Sequence, residues 1–194
     1  MNYVHFEIAM KTQHISQEAI LSVAKEIVSR SGINALNIRT IAQRCSISVG
    51  SVYNYFPSKG DLVIATIGSI WREILFDSKS SQPKLGFIEN IQWLFDKIHK
   101  GSETYPSFFS VHPMSLANVY KKTGRDVMHQ YFLYMKQGLL TALEQDPYVK
   151  KDVFSDTFTQ VSFVDFVFSN ILTLLTNGKK SCTYLSEIVR HILY

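Results

Sequence analysis

Residues 33–62 read INALNIRTIAQRCSISVGSVYNYFPSKGDL, and this stretch decides the fold of the chain. Asn37 is a typical N-cap, and apolar residues follow it at helical spacing as far as Cys45, which predicts a helix of about two turns. Ser48 can cap a second short segment, which ends before Pro57 because the residue preceding a proline is biased away from helix. Two short helices joined by a tight turn are typical of a helix-turn-helix.

The residues before this stretch predict one more helix. Ser16 can act as its N-cap, and Glu18 suits its first turn. Apolar residues recur at three- and four-residue steps from Ile20 to Val28, and Gly32 then marks the stop. We therefore expect three helices in a row over the N-terminal part of the chain.

The remainder of the chain also reads as helical. Ser58 followed by Asp61 is a capping-box-like start, and one long helix is predicted from there to about residue 78. The Ser-rich stretch Ser78–Pro83 is the best boundary candidate. Further helices are predicted near 86–100, 107–120 with a disturbance at Pro113, 125–144, 156–176 and 181–194. No segment alternates like a strand apart from the ambiguous residues 3–8, so the expected fold class is all-α. Residues 1–15 either extend the first helix or remain loose.

Composition bounds the class of protein. With 194 residues, 46% hydrophobic and 19% charged, the chain is globular, and its net charge of +4 leaves any basic surface for nucleic acid to be local. Cys45 and Cys182 fit neither a disulfide framework nor a metal motif, which favours a reduced, cytoplasmic protein. The N-terminus does not read as a signal peptide, and no apolar run is long enough to cross a bilayer, so no membrane partner is expected.

Motifs for catalysis or cofactors are missing from the sequence. It contains no GxSxG, HExxH, P-loop or Rossmann glycine pattern, so we expect no enzyme activity and no cofactor. Asp126 and His129 are three residues apart, but no third ligand accompanies them, so no metal site is expected.

The second short helix of the motif carries side chains suited to DNA. Ser48 and Gly50 combine a cap, a hydroxyl and an unobstructed approach, which fits a helix N-terminus presented to phosphates. Ser51 and Asn54 can form hydrogen bonds to base edges, and the Val49 methyls can meet a thymine methyl. These residues are the candidates for sequence specificity.

A second group suits the DNA backbone. Tyr53 and Tyr55 can place hydroxyls on phosphates, and Lys59 adds positive charge. Arg39 and Thr40, early in the preceding helix, can reach a phosphate or an adjoining base. Two other interpretations stay open: the Tyr53 ring can be partly structural, and Lys59 can be a solvated residue at a helix start.

The motif resembles the DNA-binding region of the tetracycline-repressor (TetR) family of bacterial transcription regulators. The resemblance spans about residues 16–65 and is carried by Ile41-Ala42, Ser48-x-Gly50, Val52-Tyr53-x-Tyr55-Phe56 and Ser58-Lys59. It supports the proposed DNA roles of Ser48, Gly50, Tyr53, Tyr55 and Lys59. The sequence departs from the family at Val49, where many members carry Lys, and at Ser46, where a turn Gly is common.

The resemblance also implies a division of labour. It predicts a DNA-binding domain over 1–62 and a helical effector-binding and dimerisation domain over 63–194. The implied function is that of a DNA-binding regulator, a repressor released from a palindromic operator by a small, mostly apolar effector. The alternative is a ligand-responsive helical adaptor without specific DNA binding.

Two sets of C-terminal residues fit that division. The helix at 156–176 is apolar nearly all round, as expected for a helix packed against both its own chain and a partner. The interface candidates are Phe163, Phe166, Val167, Asn170, Ile171, Leu174, Leu185, Ile188, Val189 and Ile192. The effector-pocket candidates are Trp93, Phe109, His112, Met128, Tyr131, Phe132 and Met135. Ordinary core packing is the alternative for both sets.

Overall fold

The computed structural model describes residues 15–76, 86–109, 121–150 and 152–194, with the backbone alone for residues 121–125. Every regular element in these ranges is helical, which confirms the all-α fold class. The predicted boundary at Ser78–Pro83 and the disturbance at Pro113 lie outside the described residues.

The first described range contains α1 (Gln17–Ser31), α2 (Ile38–Arg44), α3 (Val49–Tyr55) and α4 (Lys59–Phe76), with a 3-10 turn at Ile33–Ala35. The first three helices begin directly after the predicted caps. Ser16 accepts the Ala19 N–H at 3.2 Å, Asn37 accepts the Arg39 N–H at 2.8 Å, and Ser48 accepts the Ser51 N–H at 3.0 Å. Each cap satisfies an amide that has no partner within its own helix.

The long helix α4 starts at the predicted cap, Ser58. In a standard capping box the carboxylate bonds the backbone N–H of the cap residue, whereas here it bonds the hydroxyl of Ser58. The Ser58 hydroxyl accepts the Asp61 N–H at 3.1 Å and donates to the Asp61 carboxylate at 2.8 Å. The helix then continues unbroken to Phe76. The predicted domain boundary after Leu62 falls inside α4, so this helix physically joins the two parts of the chain.

The remaining helices are α5 (Phe87–Thr104), α6 (Pro106–Phe109), α7 (Lys121–Gln145), α8 (Gln160–Thr176) and α9 (Thr183–Leu193). Three predicted limits were wrong. The helix predicted to end near Lys100 runs on to Thr104, the helix predicted from residue 156 begins at Gln160, and the helix predicted from residue 125 begins at Lys121. The second difference arises because Thr159 caps α8 by accepting the Ser162 N–H at 3.1 Å.

The core lies around α4 and α5. Helix α4 packs against α1, α5 and α7, and α5 packs against α7, α8 and α9. The contact between α4 and α5 depends on Gly101, where a Cβ would stand 2.7 Å from Ile74 Cδ1. A larger residue at this position would force the two helices apart.

A single carboxylate connects the ends of three helical segments. Asp146, which is 8% exposed, accepts the Phe87 N–H at 2.8 Å, the Tyr148 N–H at 3.0 Å and the Tyr194 hydroxyl. Burial alone would raise the pKa of Asp146, but these hydrogen bonds outweigh it and hold the pKa below its ordinary value. Asp146 therefore stabilises the start of α5 from a distant part of the chain.

Candidate DNA-binding surface

Helix α3 is fixed to α2 by a tight turn and a small core. Ser46 adopts a φ of 55°, in the left-handed region, and reverses the chain between the two helices. Val52 and Phe56 are buried together with Ile41. The outward side of α3 is consequently held in one orientation relative to α2.

The ten predicted DNA-contacting residues all lie at the surface of this unit. Nine are exposed, and Ser51 is partly buried. The nine are Arg39, Thr40, Ser48, Val49, Gly50, Tyr53, Asn54, Tyr55 and Lys59. The Ser48 and Ser51 hydroxyls lie 2.8 Å apart and form a hydrogen bond, so one of their two protons is already engaged in the free protein.

Gly50 stands on the exposed side of the first turn of α3. A Cβ at this position would meet only the Ser48 Oγ, at 3.6 Å, which is ordinary van der Waals contact. The fold of the single chain therefore leaves room for a methyl group here. A need for glycine at this position has to come from an external surface that approaches the backbone closely.

The two tyrosines of α3 differ in what their hydroxyls do. Tyr53 is 46% exposed and makes no hydrogen bond within the described residues. The Tyr55 hydroxyl donates to the Ile15 carbonyl at 2.6 Å. Its only proton is engaged there, so the predicted donation from Tyr55 to a phosphate requires this bond to break.

Ion pairing divides the basic residues of this region into two groups. Arg44 pairs with Glu26 at 2.8 Å, Arg30 pairs with the same carboxylate at 3.0 Å, and the hydrogen bond from Arg44 is the main cause of the lowered pKa of Glu26. Arg39 and Lys59, in contrast, form no ion pair in the part of the chain that the structure describes. These two cations are available to an external anion.

The interface candidates separate into an inner and an outer set. Phe163, Val167, Ile171, Leu185 and Val189 are at most 4% exposed and lie in the core of the single chain, as the alternative of ordinary core packing predicts, and their place in an interface stays a prediction. Phe166 is 50% exposed and Ile192 36% exposed, while Asn170, Leu174 and Ile188 are partly buried. Sequence reasoning missed Val161 and Tyr184, which are 58% and 80% exposed on the same two helices.

Four effector-pocket candidates surround Trp71, a residue that sequence reasoning placed only in a long helix. The Trp71 indole N–H points at Met128 Sδ, 3.1 Å away. Its ring stacks on Tyr131 with centroids 6.1 Å apart, and Phe109 and Phe132 lie edge-on at 5.7 and 6.4 Å. These side chains pack against one another and fill the space between the helices.

Two further candidates line a small cavity between α5 and α7. Trp93 and Met135 border this space of about 20 Å³, which suffices for one water molecule. The Trp93 indole N–H is buried and lacks a hydrogen-bond partner among the described residues. His112 lies outside the described residues.

The helices of the described residues include none that is long and apolar enough to span a membrane. Within the same ranges, no group of three or more His, Cys, Asp and Glu side chains is arranged to hold a metal ion.

Comparison with known proteins places the N-terminal helices in a defined family. Residues 20–66 match the family model described as bacterial regulatory proteins, tetR family. The chain is similar to the HTH-type transcriptional repressor KstR of Mycolicibacterium smegmatis, with 26% identity over 103 residues that cover 52% of this chain and 50% of that relative. The match thus spans about half the length of the curated relatives.

Solved structures extend the likeness to the C-terminal helices. A TetR transcriptional regulator from Legionella pneumophila has a TM-score of 0.60 at 22% identity, covering 93% of this chain and 100% of that chain. The transcriptional regulator FadR from Bacillus subtilis, solved in complex with stearoyl-CoA, has a TM-score of 0.59 at 18% identity, covering 88% and 93%. At these identities the likeness establishes the fold.

Proposed function

Because residues 20–66 match the tetR family of bacterial regulatory proteins, we propose that this chain is a transcription regulator that binds operator DNA through α3. The observation that carries this proposal is the exposed N-terminal turn of α3, where Gly50 leaves open space that the fold itself does not use. An exposed backbone without a side chain at the N-terminus of a helix allows a phosphate to approach closely. The region that carries this turn lies within the matched residues.

The side chains around Gly50 take different roles in this proposal. Asn54, Ser51 and Val49 face the bases of the major groove and select the sequence. The Tyr53 hydroxyl and the cations Arg39 and Lys59 contact phosphates, with Thr40 beside them, and set affinity and register.

The active form in this proposal is a symmetric homodimer built on α8 and α9. Support comes from the outward apolar side chains of these helices, Phe166, Ile192, Val161 and Tyr184, which are all exposed in the single chain. A two-fold dimer presents two copies of α3 to a pseudo-palindrome with half-sites about 34–36 Å apart.

A charged variant tests the dimer. Phe166→Asp places an unpaired charge in the proposed interface and should convert the dimer to a monomer at micromolar concentration, measured by analytical ultracentrifugation. Tyr148→Asp is the matched control because Tyr148 is 80% exposed and lies outside α8 and α9. A wild-type monomer that still binds operator specifically would contradict the proposal.

The proposed regulation is repression relieved by a small, mostly apolar effector bound among the helices of 86–176. Supporting it, the similar KstR proteins are named repressors, and the FadR structure contains stearoyl-CoA. Helix α4 is the proposed lever, since Lys59 begins it at the DNA side and Trp71 lies farther along it in the aromatic cluster. An effector must prefer one tilt of this helix, because equal affinity for both conformations shifts nothing.

An electrophoretic mobility shift with the upstream region of the protein's own gene tests the central claim. The wild type should retard this fragment more strongly than a scrambled fragment of equal length. Removing Asn54 by Asn54→Ala should reduce that preference by roughly 1–3 kcal/mol. Equal retardation of both fragments would favour the helical adaptor without specific DNA binding.

A further inference from the structure

A groove of about 620 Å³ lies between α1, α4 and α7, open to solvent. Its volume falls within the range typical of small-molecule sites. The groove follows the face of α4 that carries Ala65, Ser69 and Arg72, whereas Trp71 and its aromatic cluster occupy the buried face. Tyr131 is the one residue of the cluster around Trp71 that also borders the groove.

The walls of the groove offer apolar and aromatic surface. Leu21 of α1 and Val127 of α7 both line it. At one end, Phe76 and Tyr134 remain 52% and 49% exposed, and their rings lie 5.1 Å apart at 53°. Exposed aromatic pairs of this kind are costly to leave in water and suit the apolar part of a ligand.

The charge of the groove indicates the polar part of the same ligand. Two cations, Lys25 and Arg72, and one carboxylate, Glu18, line it. Lys25 is already paired with Glu73. Arg72 is exposed and has no ion pair within the described ranges, and it lies one helical turn before Phe76. A guanidinium close to an aromatic pair is suited to an anion that carries an apolar group.

We propose that this groove binds a small amphipathic anion, an apolar chain or ring with one carboxylate or phosphate. Arg72 holds the anionic group through two parallel hydrogen bonds. The apolar part lies against Phe76, Tyr134 and Val127. This site requires no DNA and goes beyond the regulator proposed above.

Calorimetric titration of the full chain tests the site, with decanoate, decyl phosphate and neutral decanol as probes below their micelle-forming concentrations. At least one of the two anions should bind once per chain and more tightly than decanol. The variant Arg72→Gln should weaken binding of that anion at least about tenfold and leave decanol unchanged. Comparing decanoate with decyl phosphate identifies the preferred anionic group.

Two further variants locate the ligand. Ser69→Trp places an indole in the groove and should block all three probes, while Lys100→Gln removes an exposed cation of α5 outside the groove and should change nothing. Thermal unfolding of each variant verifies that it is folded. The proposal is overturned if Arg72→Gln and folded Ser69→Trp both bind the anions like the wild type. It is also overturned if self-association of the chain abolishes binding, which would assign the groove to a second copy.

Discussion

Helices α1 to α4 and helix α5 are secured at their starts in different ways. Helices α1 to α4 each have a side-chain cap from the residue directly before them, Ser16, Asn37, Ser48 and Ser58. Helix α5 follows Gly86, which offers no side chain, and receives its cap from Asp146, distant in sequence. The N-terminal helices are thus specified by neighbouring residues, and α5 by the assembled fold.

The surfaces differ in the same sense. The N-terminal unit leaves Arg39, Tyr53 and Lys59 without partners among the described residues, which keeps them available for contact with another molecule. Around Trp71, the aromatic side chains pack against one another. The N-terminal surface is therefore prepared for a ligand in the free protein, whereas an effector in the interior must displace existing contacts.

The largest expected effect concerns the distant cap. Asp146→Ala removes the acceptor of three hydrogen bonds and should lower the free energy of unfolding by about 3 kcal/mol. Asn37→Ala removes a local cap and should cost about 1 kcal/mol. Urea unfolding followed by circular dichroism measures both. Equal losses would remove the distinction between the two kinds of cap.

The pH dependence of stability provides a control for Asp146. Its pKa is lowered in the folded chain, so its ionised form stabilises the fold above the unfolded pKa of about 3.9. That contribution is lost as pH falls through the folded pKa. The free energy of unfolding should therefore drop more steeply below about pH 5 in the wild type than in Asp146→Asn. Parallel curves would show that other carboxylates dominate.

Gly50→Ala separates folding from binding at the N-terminal surface. The added methyl group fits the free chain and improves helix propensity, so the free energy of unfolding should rise by about 0.5–1 kcal/mol. The same methyl group should weaken operator binding by at least about tenfold, close to 1.4 kcal/mol, because it separates the backbone from the phosphate. Fluorescence anisotropy gives the affinity, with Ser22→Ala on exposed α1 as the control. Undiminished affinity would show that α3 does not approach DNA through this turn.

The variant Lys59→Ala tests the proposed phosphate contact of this residue. Loss of the Lys59 cation should weaken specific and non-specific DNA binding alike and reduce the salt dependence of the binding constant by about one unit. Lys180→Ala removes an exposed cation in the C-terminal part and should leave both quantities unchanged. The role of Lys59 would be wrong if its variant behaved like the control.

The smallest expected effects distinguish the two tyrosines. Tyr53→Phe should lower DNA affinity by about 0.5–1 kcal/mol without changing stability, because its hydroxyl has no hydrogen-bond partner among the described residues. Tyr55→Phe should lower stability by about 1 kcal/mol, because its hydroxyl holds the Ile15 carbonyl, with a smaller effect on DNA. If Tyr53→Phe lowered stability and Tyr55→Phe lowered DNA affinity instead, the two tyrosines would have the opposite roles.

The residues that sequence reasoning placed correctly depend on near neighbours. Asn37 and Ser48 cap amides two to three positions ahead, and such spacings are visible in the sequence. The partners of Tyr55 and Trp71 lie 40 and 57 residues away, and periodicity does not indicate such pairings. Helix α8 is apolar nearly all round, so its pattern could not tell that Val167 faces inward and Phe166 outward.

The long-range cap on α5 also has a consequence for the order in which the chain acquires its structure. During synthesis, α1 to α3 have their caps as soon as their own residues have left the ribosome. Helix α5 lacks the acceptor for the Phe87 amide until Asp146 emerges, and the Tyr194 hydroxyl that completes the cluster follows still later. The N-terminal unit can therefore become ordered while α5 waits for distant residues, and the closing of that long loop should set the pace of folding.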